Sequence, residues 1–290
     1  MRVDECGAAT VDGAPTQGGP AQGAPEGGAV ALGTGAGRLG GWHSRPLLVR
    51  AALEVGLVLV LFALYKFGRA MVADQVSQAM RHAEVVRTLQ ASLWLPSEAA
   101  IQASVHVESL MRAANVYYTV VHFPLMVAFL VWGFLRRNPG EYRWARNLVV
   151  IQTGAALAIH VFFPLAPPRM FPEWGFVDTM ERYGPSPYEG VSGDVANQFA
   201  AMPSLHVGWA VLIAYVVART GPRWLAWLAG CHAALTAMIV VITANHWWLD
   251  GVIGVALLLV AAAVLPRPPT AKREVAQRRE ASATRDDVAA

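Results

Sequence analysis

Charged side chains are scarce in this sequence. Asp, Glu, Lys and Arg make up 15% of its 290 residues, whereas 55% of the residues are hydrophobic. Soluble domains normally carry about 25% charged residues, and the mean hydropathy of +0.38 is too high for such a domain. The composition therefore excludes an ordinary soluble protein and indicates a polytopic membrane protein.

Cysteine and net charge are low as well. The two cysteines are Cys6, in a Gly-rich segment, and Cys231, inside an apolar run. Because these two environments differ so much, we expect no structural disulfide between them. The formal net charge is only +3 and the basic residues are scattered. The sequence therefore lacks the basic patch of a nucleic-acid-binding protein.

Long apolar runs are confined to the middle of the chain. Residues 1–46 are rich in Gly, Ala and Pro, which predicts a disordered tail. Residues 267–290 are polar and mixed in charge, which predicts a second solvated tail. The first apolar run begins only at Leu47, so we expect no cleaved signal peptide. We assign residues 47–266 to a membrane domain.

This domain contains six apolar segments. Each is close to the length that a helix needs to cross about 30 Å of hydrocarbon, although the fourth and the sixth are short. The sequence therefore predicts an all-α fold, a membrane bundle of six transmembrane helices. The predicted segments are residues 47–65, 116–135, 148–164, 205–218, 224–243 and 251–265.

Basic residues mark one side of the predicted bundle. They follow the second, fourth and sixth segments. Because basic loops stay in the cytoplasm, both tails are predicted to be cytoplasmic. The loops after the first, third and fifth segments then lie outside a plasma or cytoplasmic membrane. Residues 166–169, 202–206 and 245–250 all fall on this outer face.

The outer stretch between the first two segments, residues 66–115, mixes apolar with charged side chains. This pattern predicts a pair of amphipathic helices that lie on the membrane surface. The sequence Pro96-Ser97-Glu98 gives a break followed by a helix start, where Ser97 can cap the first amides. Whether this helix pair admits lipid headgroups or only packs against the bundle stays open at this point.

The segment Asn245-His246-Trp247-Trp248-Leu249-Asp250 carries the strongest chemical signal. On a helix, His246 and Asp250 would share one face, so that the carboxylate can accept the imidazole Nδ1–H. Nε2 is then oriented as a nucleophile or base. A carboxylate at a membrane boundary is costly, which favours a functional partner. The alternative is a solvated His/Asp pair at the interface.

A second segment, Met202-Pro203-Ser204-Leu205-His206, opens the fourth apolar run. Free amides and the positive end of a helix favour a phosphate here, and Ser204 can add a hydroxyl donor. His206 is suited to protonate a departing alkoxide. The alternative is an ordinary helix cap. Near the third run, Arg169 can clamp phosphate oxygens, although it can also be an arginine that reaches the interface.

Together these segments resemble the phosphatidic acid phosphatase type 2 (PAP2) superfamily, and more closely its branch of inositol phosphorylceramide synthases. The resemblance covers the six apolar segments and excludes both tails. It implies a phosphohistidine on His246, Asp250 as its orienting group and His206 as acid and then base, with Arg169 and Ser204 holding phosphate. It implies no metal and no cofactor. The segments that carry it are residues 166–169, 201–208 and 243–251.

Two positions depart from the superfamily pattern. Phe162 stands where the superfamily has a lysine, and Ile239-Val240 stands where it has Ser-Arg. Two cationic phosphate ligands are therefore missing, which favours the synthase-like branch over a plain phosphatase. Asn245 and Thr243 can supply neutral donors instead. A possible headgroup pocket consists of Asn115, Tyr118 and His122.

The other histidines and tryptophans of the spans are predicted to have structural roles. His160 and His232 are predicted to be hydrogen-bonded packing residues. Tryptophans near the ends of the runs are predicted to form an interfacial belt, half exposed to water. These are Trp224, Trp227, Trp247 and Trp248.

The sequence thus predicts a membrane enzyme for phosphoryl transfer from lipid phosphate esters, either a lipid phosphatase or an inositolphosphotransferase-like enzyme. Its expected partners are the lipid substrate and the bilayer, and its oligomeric state is open. A noncatalytic lipid-binding or transport protein is the main alternative. Two other readings are a zinc site made by His206, His246 and Asp250, and a serine hydrolase that uses Ser204. The second lacks a nucleophile-elbow pattern.

Overall fold

Ten α-helices follow one another along the residues that the computed structural model describes, which are 45–105, 107–185 and 197–265. Within these ranges no strand forms, and a single backbone bridge joins Leu165 to Ala200. The all-α prediction is confirmed. The helices are α1 (Leu47–Val72), α2 (Val76–Ser92), α3 (Glu98–Ser104), α4 (Glu108–Val116), α5 (His122–Arg136), α6 (Pro139–Phe162), α7 (Thr179–Tyr183), α8 (Leu205–Thr220), α9 (Arg223–Ile242) and α10 (Trp248–Val264).

Both predicted tails lie outside the described ranges, apart from Arg45 and Pro46. Cys6, His43 and His106 also fall outside them. Residues 186–196 and 266 of the predicted membrane domain lie outside them too.

Each of the six predicted segments is helical. Among the described residues, four helical runs are long and apolar enough to cross a membrane: α1, the continuous run Glu108–Arg136, α6 and α9. α8 and α10 are apolar but have only 16 and 17 residues. The prediction that all six cross the bilayer stays a prediction.

Two helical runs begin well before the predicted starts, at Glu108 instead of residue 116 and at Pro139 instead of residue 148. The second run starts at Glu108 because α4 continues through a π-helical turn, Tyr117–Val121, into α5. α6 starts at Pro139, where the Asn138 side chain accepts a hydrogen bond from the Gly140 amide (2.7 Å). A proline in the first helical turn and an asparagine cap together fix this start. Each run begins with a charged turn, so the apolar pattern of the sequence did not include its first residues.

The stretch between the first two apolar segments, residues 66–115, does contain a helix pair, α2 and α3. Ser97 caps α3, since its hydroxyl oxygen accepts the Ala100 amide at 3.3 Å, as predicted. We call α2 and α3 the collar. Its inner surface packs against the loop that follows α6, where the Ala79 carbonyl accepts the Ala166 amide (3.2 Å).

α8 lies at the centre of the bundle, in contact with α6, α9 and α10. Leu148, Leu212 and Leu258 are completely buried where these helices meet. α8 and α10 approach closely near their first turns, because a Cβ atom at Gly254 would lie only 2.6 Å from the Ser204 carbonyl oxygen. The absence of a side chain at this position therefore lets two backbones touch.

The interfacial belt is only partly as predicted. Trp224 and Trp227 are 64% and 76% exposed, in keeping with contact to lipid or interface. Trp247 is 1% exposed and lies among apolar side chains under the collar. Its indole N–H donates to the Ala166 carbonyl (3.0 Å). The belt prediction is wrong for Trp247, because this tryptophan satisfies its N–H inside the protein rather than at the interface.

Candidate active site

The three motif segments meet at one end of the bundle, held by backbone hydrogen bonds. The Arg169 amide donates to the Ala244 carbonyl, and the Ser204 amide donates to the Asp250 carbonyl, each at 2.9 Å. Segments that are more than 30 residues apart in sequence therefore form one structural unit. The side chains that they carry are positioned by this common backbone frame.

His246 has a defined hydrogen-bonding pattern at Nδ1. This nitrogen lies 2.8 Å from the Ala201 carbonyl oxygen and 3.3 Å from Asp250 Oδ2. Both oxygens are acceptors in these contacts, so Nδ1 carries the proton and the lone pair of the neutral ring lies on Nε2. Nε2 is buried and makes no hydrogen bond within the described ranges. Nε2 is thus the ring nitrogen with a lone pair available to act as a nucleophile or base.

Asp250 reaches His246 in a different way from that predicted. α10 begins at Trp248, so His246 precedes the helix and the two residues do not share a helical face. Asp250 Oδ2 accepts the Trp247 amide (2.8 Å) at the helix start, and this bond brings the carboxylate back toward the imidazole. A left-handed residue, Ala244 with φ of 54°, turns the chain just before His246. The contact is as predicted, but its structural cause is a turn and a helix cap.

His206 lies in the first turn of α8, beside His246. The centroids of the two imidazole rings are 5.7 Å apart. The ring of Tyr118 stacks on His206 at 4.0 Å, and the ring of His122 contacts it at 4.6 Å. The structure therefore brings the two predicted catalytic histidines together and supports one of them with aromatic contacts.

Ser204 is completely buried and caps α8, because its hydroxyl oxygen accepts the Val207 amide at 3.3 Å. The structure thus contains the helix cap that was the alternative interpretation of Ser204. The hydroxyl group retains a proton that it can donate. Its assignment to phosphate binding stays a prediction.

A cavity of about 230 Å³ opens beside the histidines. Among the predicted site residues, His206, His246, Asn245 and Tyr118 line it. Arg169, Ser204 and Asp250 lie behind this wall and are not part of its lining. The other lining residues are Tyr65, Thr119, Phe123, His160, Pro167, Asn197, Gln198, Ala200, Ala201 and Leu205.

Arg169 is 8% exposed and contacts the cavity wall through Asn245. Its Nε donates to Asn245 Oδ1, and its Nη1 lies 3.3 Å from Asp178 Oδ2. The amide nitrogen of Asn245 donates to Thr243 Oγ1 at 2.9 Å. Arg169, paired with Asp178, therefore lies behind the cavity wall and positions Asn245, which is part of that wall.

The three residues of the predicted headgroup pocket separate in the structure. Asn115 is completely buried, where its amide donates to the Thr179 carbonyl (2.7 Å) and accepts the Thr179 hydroxyl (3.0 Å). His122 packs behind His206 and does not line the cavity, whereas Tyr118 does. The π-helical turn between these positions changes which face of the run each side chain occupies.

Two contributors to the site carry no local sequence signal. The Ala201 carbonyl is the shorter of the two contacts to His246 Nδ1, and a backbone group cannot be read from a residue type. His160 is hydrogen-bonded, as predicted, but it also lines the cavity.

Across the described part of the chain, no group of three or more His, Cys, Asp or Glu side chains is placed to hold a metal ion.

Comparison with known proteins places these features in a family. The model of the PAP2 superfamily matches residues 84–264, which is more than half of the chain. The chain is also similar to the inositol phosphorylceramide synthase catalytic subunit aur1 of Schizosaccharomyces pombe, with 27% identity over 173 residues. That alignment covers 51% of this chain and only 38% of the relative. No solved structure gives a significant match. The family match confirms the resemblance seen in the motifs: the chain belongs to the PAP2 superfamily.

Proposed function

We propose that this protein is an integral-membrane enzyme that transfers a phosphoryl group from a lipid phosphate ester through a phosphohistidine on His246. The observation that carries the proposal is the pair of acceptors at His246 Nδ1, the Ala201 carbonyl and Asp250 Oδ2. They leave the lone pair on Nε2 in a ring that lines the cavity. Family membership supports the same class of chemistry.

The first half of the reaction forms the covalent intermediate. His246 Nε2 attacks phosphorus, so that a P–N bond forms as the P–O ester bond breaks. The departing alkoxide takes a proton from His206, whose ring lies 5.7 Å from that of His246. Asp250 stabilises the positive charge that develops on the His246 ring, as an aspartate does for its histidine in a catalytic triad.

The second half releases the phosphoryl group. A hydroxyl oxygen attacks phosphorus, the P–N bond breaks, and His206 takes the proton of that hydroxyl, which restores the starting state. Water as the attacking molecule gives a lipid phosphatase, and an alcohol gives a phosphotransferase. The similarity to an inositol phosphorylceramide synthase supports testing inositol-containing and ceramide-type substrates first.

Phosphate binding is assigned to groups around the cavity. Asn245 lines the cavity, and Arg169, which donates to Asn245, lies directly behind it. Ser204 lies behind the wall as well, with its hydroxyl at the start of α8. The amides at this helix start add partial positive charge. Tyr118 lines the cavity, and its ring stacks on that of His206.

The membrane arrangement is part of the proposal. The six apolar helices cross the bilayer, both tails lie in the cytoplasm, and the site faces the opposite side. α8 and α10 are short for a full crossing, so their outer ends lie below the headgroup level. In this arrangement His206 and Asp250 lie just beneath the headgroup layer, and a lipid phosphate ester must reach down to them.

The decisive experiment is labelling of purified, detergent-solubilised protein with ³²P-labelled phosphatidic acid and phosphatidylinositol. We expect a covalent label that is stable to base and labile to acid, as a phosphoramidate should be, together with turnover of at least one lipid. His246→Ala abolishes both. His82→Ala is the matched control, because His82 is also hydrogen-bonded to a carbonyl, that of Pro164 (2.7 Å), but does not line the cavity.

Product analysis separates the remaining possibilities. Release of free phosphate identifies a phosphatase, and transfer of the phosphate-containing group to added ceramide or inositol identifies a phosphotransferase. Lipid binding without label or turnover would favour the noncatalytic alternative. Turnover that survives in His246→Ala would contradict the assigned nucleophile.

A further inference from the structure

A third histidine, His160, belongs to the wall of the cavity. It lies near the end of α6, is 6% exposed, and lines the same cavity as His206 and His246. The mechanism proposed above uses only two of these three rings. Both nitrogens of a buried imidazole are normally hydrogen-bonded, to the protein or to a bound molecule.

The two nitrogens of His160 have different surroundings. Nε2 lies 3.1 Å from the Pro203 carbonyl oxygen, and because a carbonyl only accepts, Nε2 carries the proton. Nδ1 is buried and has no hydrogen-bond partner among the described residues. In the neutral ring, Nδ1 is therefore an acceptor that lacks a donor.

A second wall residue has the same property. Thr119, in the π-helical turn between α4 and α5, lines the cavity, and its Oγ1 is buried with no partner in the described part of the structure. Its hydroxyl can donate as well as accept. Two buried polar atoms on cavity-lining residues thus lack partners among the described residues, which points to a ligand group that supplies both a donor and an acceptor.

The chemistry of Nδ1 restricts this ligand group. The oxygens of an ionised phosphate ester are acceptors and cannot satisfy another acceptor. A hydroxyl group has the chemistry to satisfy both atoms, because it can donate its proton to Nδ1 and accept through its oxygen from the Thr119 hydroxyl. We infer that His160 and Thr119 bind the hydroxyl group of the molecule that resolves the phosphohistidine, an alcohol acceptor or water. This inference rests on the proposed function.

The test separates the two halves of the reaction. Wild-type protein and variants are mixed with ³²P-labelled phosphatidylinositol or phosphatidic acid, and the rate of labelling is measured. The decay of the label is then followed in water alone and with increasing myo-inositol or ceramide. His160→Phe keeps a ring and removes both nitrogens, whereas His160→Gln keeps a donor and an acceptor. Thr119→Val removes only the hydroxyl, and His82→Phe is the control.

We expect His160→Phe and Thr119→Val to label within about twofold of the wild-type rate, but to lose the label about tenfold more slowly, as the loss of one hydrogen bond predicts. His160→Gln should recover most of the decay rate. If slowing appears only with added inositol or ceramide, the bound hydroxyl belongs to an alcohol. If it appears in water alone, the bound hydroxyl is that of water.

Other outcomes overturn the inference. A parallel fall in labelling and decay for His160→Phe would mean that His160 only supports Pro203 and the start of α8. Unchanged decay in both His160→Phe and Thr119→Val would exclude a hydroxyl site. If His160→Phe fails to fold, Thr119→Val and His160→Gln still decide between these results. A wild-type protein that never becomes labelled would instead overturn the phosphohistidine itself.

Discussion

The phenol ring of Tyr118 lies almost parallel to the imidazole of His206, with centroids 4.0 Å apart and planes inclined by 18°. His122, four residues further along, contacts the same imidazole at 4.6 Å. The segment that carries both residues includes a π-helical turn, Tyr117–Val121. Two aromatic side chains from one helical run thus fix the plane of the ring assigned to proton transfer.

Tyr118 is therefore expected to act mainly through its ring. Tyr118→Phe should keep at least about a third of kcat, because the stacking remains, whereas Tyr118→Leu should lower kcat about tenfold as His206 becomes free to rotate. The measurement is steady-state turnover of the lipid that the wild-type protein uses best. Equal loss in both variants would show that the hydroxyl group, rather than the ring, is needed.

Asp250 offers a second prediction, about the tautomer of His246. In proteins where an aspartate alone fixes the histidine tautomer, its replacement by asparagine lowers kcat about 10⁴-fold. Here the Ala201 carbonyl also accepts from Nδ1, at the shorter distance of 2.8 Å. Asp250→Asn should therefore keep the productive tautomer and lose only the charge stabilisation, with a fall in kcat of about 10–100-fold. A loss as large as that of His246→Ala would show that the Ala201 contact does not hold the ring.

Which residues gather at the candidate active site was largely predictable from sequence. His246, Asp250, Ser204 and His206 sit in short motifs, and the structure brings these motifs together. Backbone geometry was not predictable to the same degree. The His246 to Asp250 contact depends on the left-handed turn at Ala244, which a residue with a Cβ atom adopts only rarely, so spacing alone had indicated a shared helical face.

Positions that depend on long-range packing were the least predictable. Arg169 carries the expected charge, but the structure places it behind Asn245 instead of on the cavity wall. Trp247 looked interfacial because tryptophan often is, and only the folded chain supplies the Ala166 carbonyl that allows its burial. Phe162, which stands where the superfamily has a lysine, was equally hard to interpret from sequence. It is 83% exposed, so this position is not a buried part of the site.

The collar makes a testable contribution to α10. Glu98 is 5% exposed, and its Oε1 accepts the Trp248 amide at 3.1 Å and the Gln90 side-chain amide at 2.7 Å. This carboxylate thus caps the helix that carries Asp250. Glu98→Ala should lower the free energy of unfolding by about 1–2 kcal/mol and reduce turnover. Thermal unfolding in detergent and lipid turnover are the two measurements.

Glu108 provides a matched control for Glu98, because it is also a glutamate at the start of a short helix. Glu108, at the start of α4, has a 66% exposed side chain and pairs with Arg112 at 3.4 Å. Because exposed ion pairs contribute little, Glu108→Ala should change stability by less than about 0.5 kcal/mol. Equal effects of the two substitutions would contradict a capping role for Glu98.

The close contact of α8 and α10 leads to the last prediction. A Cβ atom at Gly254 would lie 2.6 Å from the Ser204 carbonyl oxygen, which is backbone and cannot rotate away. Gly254→Ala must therefore push the two helices apart at Ser204, just before the turn that carries His206. We expect a loss of about 1–3 kcal/mol in unfolding free energy, measured by thermal unfolding, together with slower labelling of His246.

Gly230→Ala controls for the substitution itself, since no atom lies within 4 Å of a Cβ atom built there. Gly230 is inside α9, where alanine is the better helix former by up to about 1 kcal/mol. This variant should be as stable as the wild-type protein or more so, with unchanged turnover. If Gly254→Ala behaved like Gly230→Ala, the helices would have to tolerate a separation at Ser204 without disturbing the histidines. Tight backbone contact would then not be what holds the two motifs in register.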